Sequence, residues 1–232
     1  MKRVSALLLL LAALPLCGGV YPQFGVETFL GGAYDLFSLA PWGGVRVPLA
    51  ATSSLIVKFR LQSVAFDVED DEGLRSRQKS SLSMVTGVYY FQKPGLDMYA
   101  ALFQMFGSSG YNASGADVGL SYRLFRGLAA ETGLYLLNER SNLWYPNEAL
   151  RRISTYVWHV GAKIAILPRL EINPQLHVGG NSESVGLFAC AANLNYSPRD
   201  PIYITLTYTR YSENDEYRFS GNYFSGGISF YF

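Results

Sequence analysis

Two histidines, His159 and His177, are the only imidazoles in the 232-residue chain. Each sits in a segment that alternates polar and apolar residues. TYVWHVGAKIAI puts Thr155, His159, Gly161 and Lys163 on one face, and LEINPQLHVGG puts Glu171, Asn173, Gln175 and His177 on one face. Successive residues of a β-strand point to opposite sides. If a three-residue turn at 167–169 joins the segments, His159 stands opposite His177, their Cβ atoms about 4.5–5.5 Å apart. Lys163 then lies opposite Asn173 and diagonal to Glu171. Opposed imidazoles can supply two zinc ligands, but a site usually needs a third. No Asp, Glu or Cys is clearly adjacent on the flanking segments. Hydrolytic chemistry would need a Ser, Asn or Asp beside a histidine, and Ser154 and Thr155 near His159 form no nucleophile motif. The expectation is a pair of hydrogen-bonded histidines, with no catalytic group, no metal and no cofactor.

A second ionic set lies earlier. Arg46, Lys58 and Arg60 share a face in consecutive segments, and Glu27 and Asp35 fall on the corresponding face of the segment before them. A turn at 51–53 places Arg46 opposite Lys58, and a turn at 125–127 places Arg123 diagonal to Glu131. Like charges side by side are costly unless hydrated or compensated. Glu27 and Asp35 are the expected compensating groups.

Twelve alternating segments must position these side chains: 24–37, 44–50, 54–67, 82–92, 97–107, 115–124, 128–139, 154–166, 170–179, 186–196, 202–213 and 217–232. The segment 44–50 is short and contains Pro48, so ten or eight strands stay open as alternatives. The connections alternate in length. Tight turns fall at 51–53, 93–95, 125–127, 167–169 and 197–200, and longer polar links such as VEDDEGLRSRQKS, NERSNLWYPNEALRR and YSENDEYR lie between them. Short turns at one end and long loops at the other mark a transmembrane β-barrel, with both termini at the short-turn, periplasmic end. The apolar faces carry aromatics toward their ends. Tyr90, Tyr99, Tyr122 and Tyr196 sit near the short turns; Tyr34, Tyr156 and Trp158 sit toward the long loops. Two belts around an aliphatic band fit two lipid interfaces. The segment LDMYAALFQMF is apolar on both faces and leaves its orientation open.

The chain begins MKRVSALLLLLAALPLCGGV, a basic head, a short apolar run and small residues. That is the pattern of a secretory signal peptide, too short to span a bilayer as a helix. The expected division is a signal peptide over residues 1–19, cleaved near Gly19, and a barrel over 20–232. An uncleaved anchor and lipidation at Cys17 stay open. Without Lys2 and Arg3, the 19 Lys and Arg become 17, against 18 Asp and Glu. A near-neutral chain lacks the basic face of a nucleic-acid binder. After cleavage Cys190 is the one cysteine, so no intramolecular disulfide can form.

The last residues, SGGISFYF, alternate up to a terminal phenylalanine. This ending resembles the C-terminal signal of bacterial outer-membrane β-barrel proteins, a porin-like superfamily. Ser225, Gly227, Phe230 and Phe232 occupy the polar, glycine, apolar and terminal aromatic places. The resemblance implies an outer-membrane location, folding by the barrel-assembly machinery and a lipid-facing terminal ring. The fold class expected is therefore all-β, a transmembrane antiparallel up-and-down barrel of twelve strands.

Function is then expected in the lumen, lined by Glu27, Asp35, Arg46, Lys58, Arg60, Arg123, Glu131, His159, Lys163, Glu171 and His177. Twelve strands lie between a side-chain-filled barrel and a wide porin. The favoured expectation is a small channel for passive diffusion of small hydrophilic solutes, constricted near Arg46, Lys58 and Arg60. A closed scaffold whose loops bind a surface partner, through Trp144 and Tyr145 for example, is the alternative. An outer-membrane lipid-modifying enzyme is the second alternative.

Overall fold

The computed structural model describes residues 19–32, 35–69, 73–141, 151–182, 186–212 and 221–232. Residues 1–18 of the expected signal peptide, with Cys17, and Tyr34, Trp144 and Tyr145 lie outside the described residues, as do 142–150 and 213–218 of two long polar links. The third link, 68–80, is strand at 68–69 and 75–80, because the two strands that it joins extend beyond their expected ends. Twelve strands are formed: β1 (Tyr21–Gly31), β2 (Leu36–Ala50), β3 (Ser53–Glu69), β4 (Arg75–Lys93), β5 (Leu96–Gly107), β6 (Asn112–Phe125), β7 (Leu128–Ser141), β8 (Arg151–Leu167), β9 (Leu170–Asn181), β10 (Gly186–Arg199), β11 (Ile202–Tyr211) and β12 (Gly221–Tyr231). Each pairs antiparallel with its chain neighbour, and β1 pairs with β12 to close the barrel. Ten or eight strands are thereby excluded.

The first expected strand, 24–37, is in fact a strand, a turn and the start of the next. Gly31 and Gly32 take φ of 124° and 78°, and Asp35 takes 44°. Glycine tolerates that region at no steric cost, and aspartate is among the few other residues that enter it. The chain reverses there, so β2 begins at Leu36 and runs through the stretch that reads as a connection in the sequence. Pro41 and Pro48 remain within β2, a strand otherwise alternating buried and exposed residues.

Alternation sets the two faces. Phe24, Val26 and Leu30 on β1, Leu102 on β5 and Leu134 and Leu136 on β7 are exposed on the outside. In water, so extensive an apolar surface would far exceed the patches that soluble monomers carry; it is a surface for lipid. Tyr122, Tyr196, Tyr156 and Trp158 stand on this outer face as expected. Tyr90 and Tyr99 do not. They pack inward around Ile56, Val88 and Ala101, and the Tyr99 hydroxyl donates to Asp117 Oδ1 at 3.1 Å. The physical reason is that β5 is apolar on both sides, so the hydrogen-bond partner of Tyr99 decides its orientation, and Tyr90 stands directly opposite Tyr99 on β4. Cys190 is exposed on the outer face of β10.

The closing seam is aromatic. Phe24 of β1 stacks with Phe230 at 5.0 Å and with Phe232 at 5.7 Å between ring centroids. Inside the same seam, Gly25 leaves room for the Trp42 indole. A Cβ built at Gly25 would stand 2.6 Å from the Ile228 carbonyl oxygen and 2.8 Å from Trp42 Nε1. Gly25→Val should therefore lower stability by about 1–3 kcal/mol, the usual cost of overpacking. The measurement is the temperature at which the fast-migrating folded band is lost in detergent gels. Gly43→Val is the control, because a Cβ there meets nothing within 4 Å; that band should survive unchanged.

Candidate functional site

The lumen divides into three zones along the strands. Toward the long loops it is apolar and aromatic. Leu36, Val64 and Phe66 form a buried cluster with Phe29 and Leu82 against it. Phe29 stacks on Tyr223 at 5.0 Å, Tyr211 meets Tyr223 edge-on at 5.4 Å, and Phe103 stacks on Tyr135 at 5.6 Å. Leu187 and Val157 are also buried here. At the long-loop rim the Tyr111 hydroxyl donates to Glu139 Oε2 at 3.4 Å. Burial pushes that phenol well above its ordinary pKa, and the neighbouring carboxylate adds to the effect. The hydroxyl therefore stays protonated as a donor.

The middle zone is ionic. On the β1–β3 wall, Arg60 Nη1 pairs with Glu27 Oε2 at 3.1 Å. Lys58 Nζ sits 4.6 Å from the centroid of the Trp42 ring, close enough for a cation–π attraction. Arg60 Nε and Trp42 Nε1 are buried without a protein partner. Both are donors, and an orphan buried donor is costly unless water or solute meets it. On the β7–β9 wall, Lys163 Nζ lies 3.7 Å from Glu131 Oε2. Gln175 Nε2 donates to Glu131 Oε1, and Gln175 Oε1 meets His177 Nε2 at 3.0 Å. Further round, Thr207 Oγ1 donates to Asn193 Oδ1 at 2.7 Å and Thr205 Oγ1 to Asn195 Oδ1 at 3.2 Å.

At the short-turn end the lumen opens into a cavity of 1040 Å³. Gln23, Arg46, Tyr90, Glu171, Asn195 and Tyr203 are among its lining residues, drawn from both sides of the barrel. Arg46 Nε donates to Ser54 Oγ at 3.2 Å in the same region.

The structure places the expected residues as follows. Glu27, Lys58 and Arg60 come together. Arg46 stands opposite Ile56, and Lys58 opposite Gly44; the two cations are not paired across the strands. A two-residue turn and a bulge between Pro48 and Ala50 slide the register by two. Asp35 lies in the β1–β2 turn, not on the lumen wall, and its carbonyl oxygen accepts from Arg77 Nη1 at 2.8 Å. It compensates neither Arg46 nor Lys58. Arg123 is exposed near the short-turn rim, diagonal to Glu131 because it pairs with Ala129 while Ser121 pairs with Glu131. Lys163 pairs with Glu131 in place of Glu171, which sits in the cavity lining instead. His159 stands opposite His177 with ring centroids 5.8 Å apart. Among the described residues no cluster of three metal-ligating side chains occurs.

Sequence reasoning missed Trp42 and Asp117. Trp42 fell in a stretch read as a connection. Asp117 shares the parity of Arg123, a usable signal that was overshadowed by the glycines around it.

No protein-family model matches the sequence, and no curated protein matches it. Several solved structures share its architecture. The COG4313 outer membrane channel from Pseudomonas putida F1 aligns with a TM-score of 0.63 at 11% identity, covering 92% of this chain and 94% of that one. The KdgM porin aligns at 0.55 and 12% identity, covering 90% and 99%. The translocator domain of the autotransporter NalP from Neisseria meningitidis aligns at 0.59 and 10% identity, covering 100% and 98%. Together with the closed ring of twelve antiparallel strands, these alignments identify the fold of this chain as that of the porin-like outer-membrane β-barrels.

Proposed function

We propose that this protein is a small, non-enzymatic channel of the outer membrane for passive diffusion of small hydrophilic solutes. The observation that carries the reading is the wet, ionic middle zone: charged groups on two walls, with buried donors that need water or a passing solute. Buried charge without such partners would be very costly. The channel is entered from the cavity at the short-turn end and filtered between Glu27, Lys58 and Arg60 on one wall and Glu131 and Lys163 on the other. Arg46, Arg123, Glu171, His159 and His177 shape the approach to it. Ser225, Gly227, Phe230 and Phe232 serve as the assembly signal read by the barrel-assembly machinery, and the outer face contacts outer-membrane lipids.

Parity argues against a hydrolase. Ser154 faces outward, its hydroxyl donating to Asn138 Oδ1 at 2.7 Å. His159 faces inward, so the two cannot meet. A closed scaffold is the second reading, favoured by the apolar packing of Leu36, Val64 and Phe66 in the long-loop half.

Planar-bilayer recording separates the two readings. A channel gives discrete conductance steps from the folded full chain; a closed scaffold gives none. A second measurement tests the filter. Glu131→Gln removes one negative charge, so the reversal potential in a KCl gradient should move toward the anion value. Lys58→Gln should move it toward the cation value. Glu131→Gln should also cost about 1–3 kcal/mol of stability, because one of the two oxygens that meet Lys163 and Gln175 becomes an NH2 donor facing another donor. Identical selectivity in both variants and the parent would remove these residues from the filter.

A further inference from the structure

The outer face of β7–β8 carries a pattern unlike the rest of the wall. From the middle of the barrel toward the long-loop rim, the directly opposed outward pairs are Leu134 and Trp158, Leu136 and Tyr156, Asn138 and Ser154, then Arg140 and Arg152. Trp158 and Tyr156 are about half exposed, and amphipathic rings mark the level of the lipid headgroups. Arg140 and Arg152 are exposed one step above the Asn138–Ser154 pair. Opposed residues hold their Cβ atoms about 4.5–5.5 Å apart, and like charges in that position repel.

Nothing among the described residues neutralises this pair. The adjacent acid, Glu139, points into the barrel and accepts from Tyr111. The contrast lies on β3–β4, where the outward pair at the long-loop end is Asp67 opposite Arg77, bonded at 2.7 Å. That rim position is self-compensated; the one on β7–β8 carries two directly opposed, exposed arginines. Neutral polar groups flank them. Asn112 pairs with Arg140 from β6, and Gln104 of β5 donates to Asn112 Oδ1 at 2.6 Å. Guanidinium forks match phosphate oxygens and bind them by charge-assisted hydrogen bonds. A phosphate between the two arginines would turn a repulsive pair into a bridged one.

We propose that Arg140 and Arg152 form a docking site for the phosphate of an anionic membrane glycolipid, its acyl chains lying on Leu134, Leu136, Tyr156 and Trp158. The lipid is the source of the phosphate because the pair faces outward above an aromatic and aliphatic strip, not into the lumen. The site is independent of solute passage and stands whether the lumen conducts or not.

The test titrates the folded full chain, in a zwitterionic detergent, with three probes and reads retained adducts by native mass spectrometry. The probes are bisphosphorylated lipid A, the same glycolipid stripped of phosphate, and inorganic phosphate. Bisphosphorylated lipid A should bind at least about tenfold tighter than the stripped form, as expected for two cations at a headgroup. Arg140→Ser combined with Arg152→Ser should lose that advantage, while Arg210→Ser, an outer-face cation of β11, should keep it. Equal binding of phosphorylated and stripped glycolipid overturns the proposal and needs no variant to fold. Unchanged binding by the double variant, or equal loss in Arg210→Ser, also overturns it. Inorganic phosphate binding as tightly as lipid A would assign the pair to a free anion and reject the lipid.

Discussion

A hydrocarbon phase offers no hydrogen bonds, so every backbone N–H and C=O that enters it must find a partner within the protein. This chain meets that demand by closing a ring. The seam from Gln23–Tyr231 to Gly31–Tyr223 joins the first and last strands, and with it the sheet has no open edge. The remaining features follow from that closure. Side chains alternate between lipid and lumen, so apolar residues are pushed outward and ionic ones inward, the inverse of a soluble barrel. The stacked Phe24, Phe230 and Phe232 sit where the ring closes, and the Gly25 gap lets Trp42 lie against the same seam from inside.

An inverted barrel has to satisfy its interior as well. Polar groups facing inward do so by pairing round the wall: Glu27 with Arg60, Glu131 with Lys163 and Gln175, Asn193 with Thr207. These bonds run between neighbouring or next-neighbouring strands and tie the side chains to one another along the wall. Toward the long loops the design changes. Phenylalanine and tyrosine rings stack on one another there, and the inner wall turns apolar.

Much of this was legible in the residues. Period-two alternation yielded the right strand count, although the run 24–37 merged the end of β1 with the start of β2, and the spacing of turns showed which end holds the termini. The His159–His177 pairing follows from turn arithmetic, because the bulge near Leu167 restores the register that a three-residue turn would have set. The same arithmetic failed between β2 and β3, where a bulge beside Pro48 shifts Arg46 away from Lys58. Bulges depend on how strands coil in three dimensions, and local sequence carries little of that. The glycine pair at 31 and 32 was a turn signal hidden inside an alternating run. Tyr90 and Tyr99 point inward because Asp117, two strands away from Tyr90, offers an acceptor to Tyr99; such a tertiary partner has no trace in a single strand's pattern.

The unequal ends of the lumen give the barrel a direction. A molecule arriving by the short-turn mouth would first meet a roomy antechamber lined with amides, phenols and the charged Arg46 and Glu171. One arriving from the opposite end meets stacked rings first. The two mouths of the lumen are therefore not interchangeable: one is a polar cavity, the other is lined by aromatic rings.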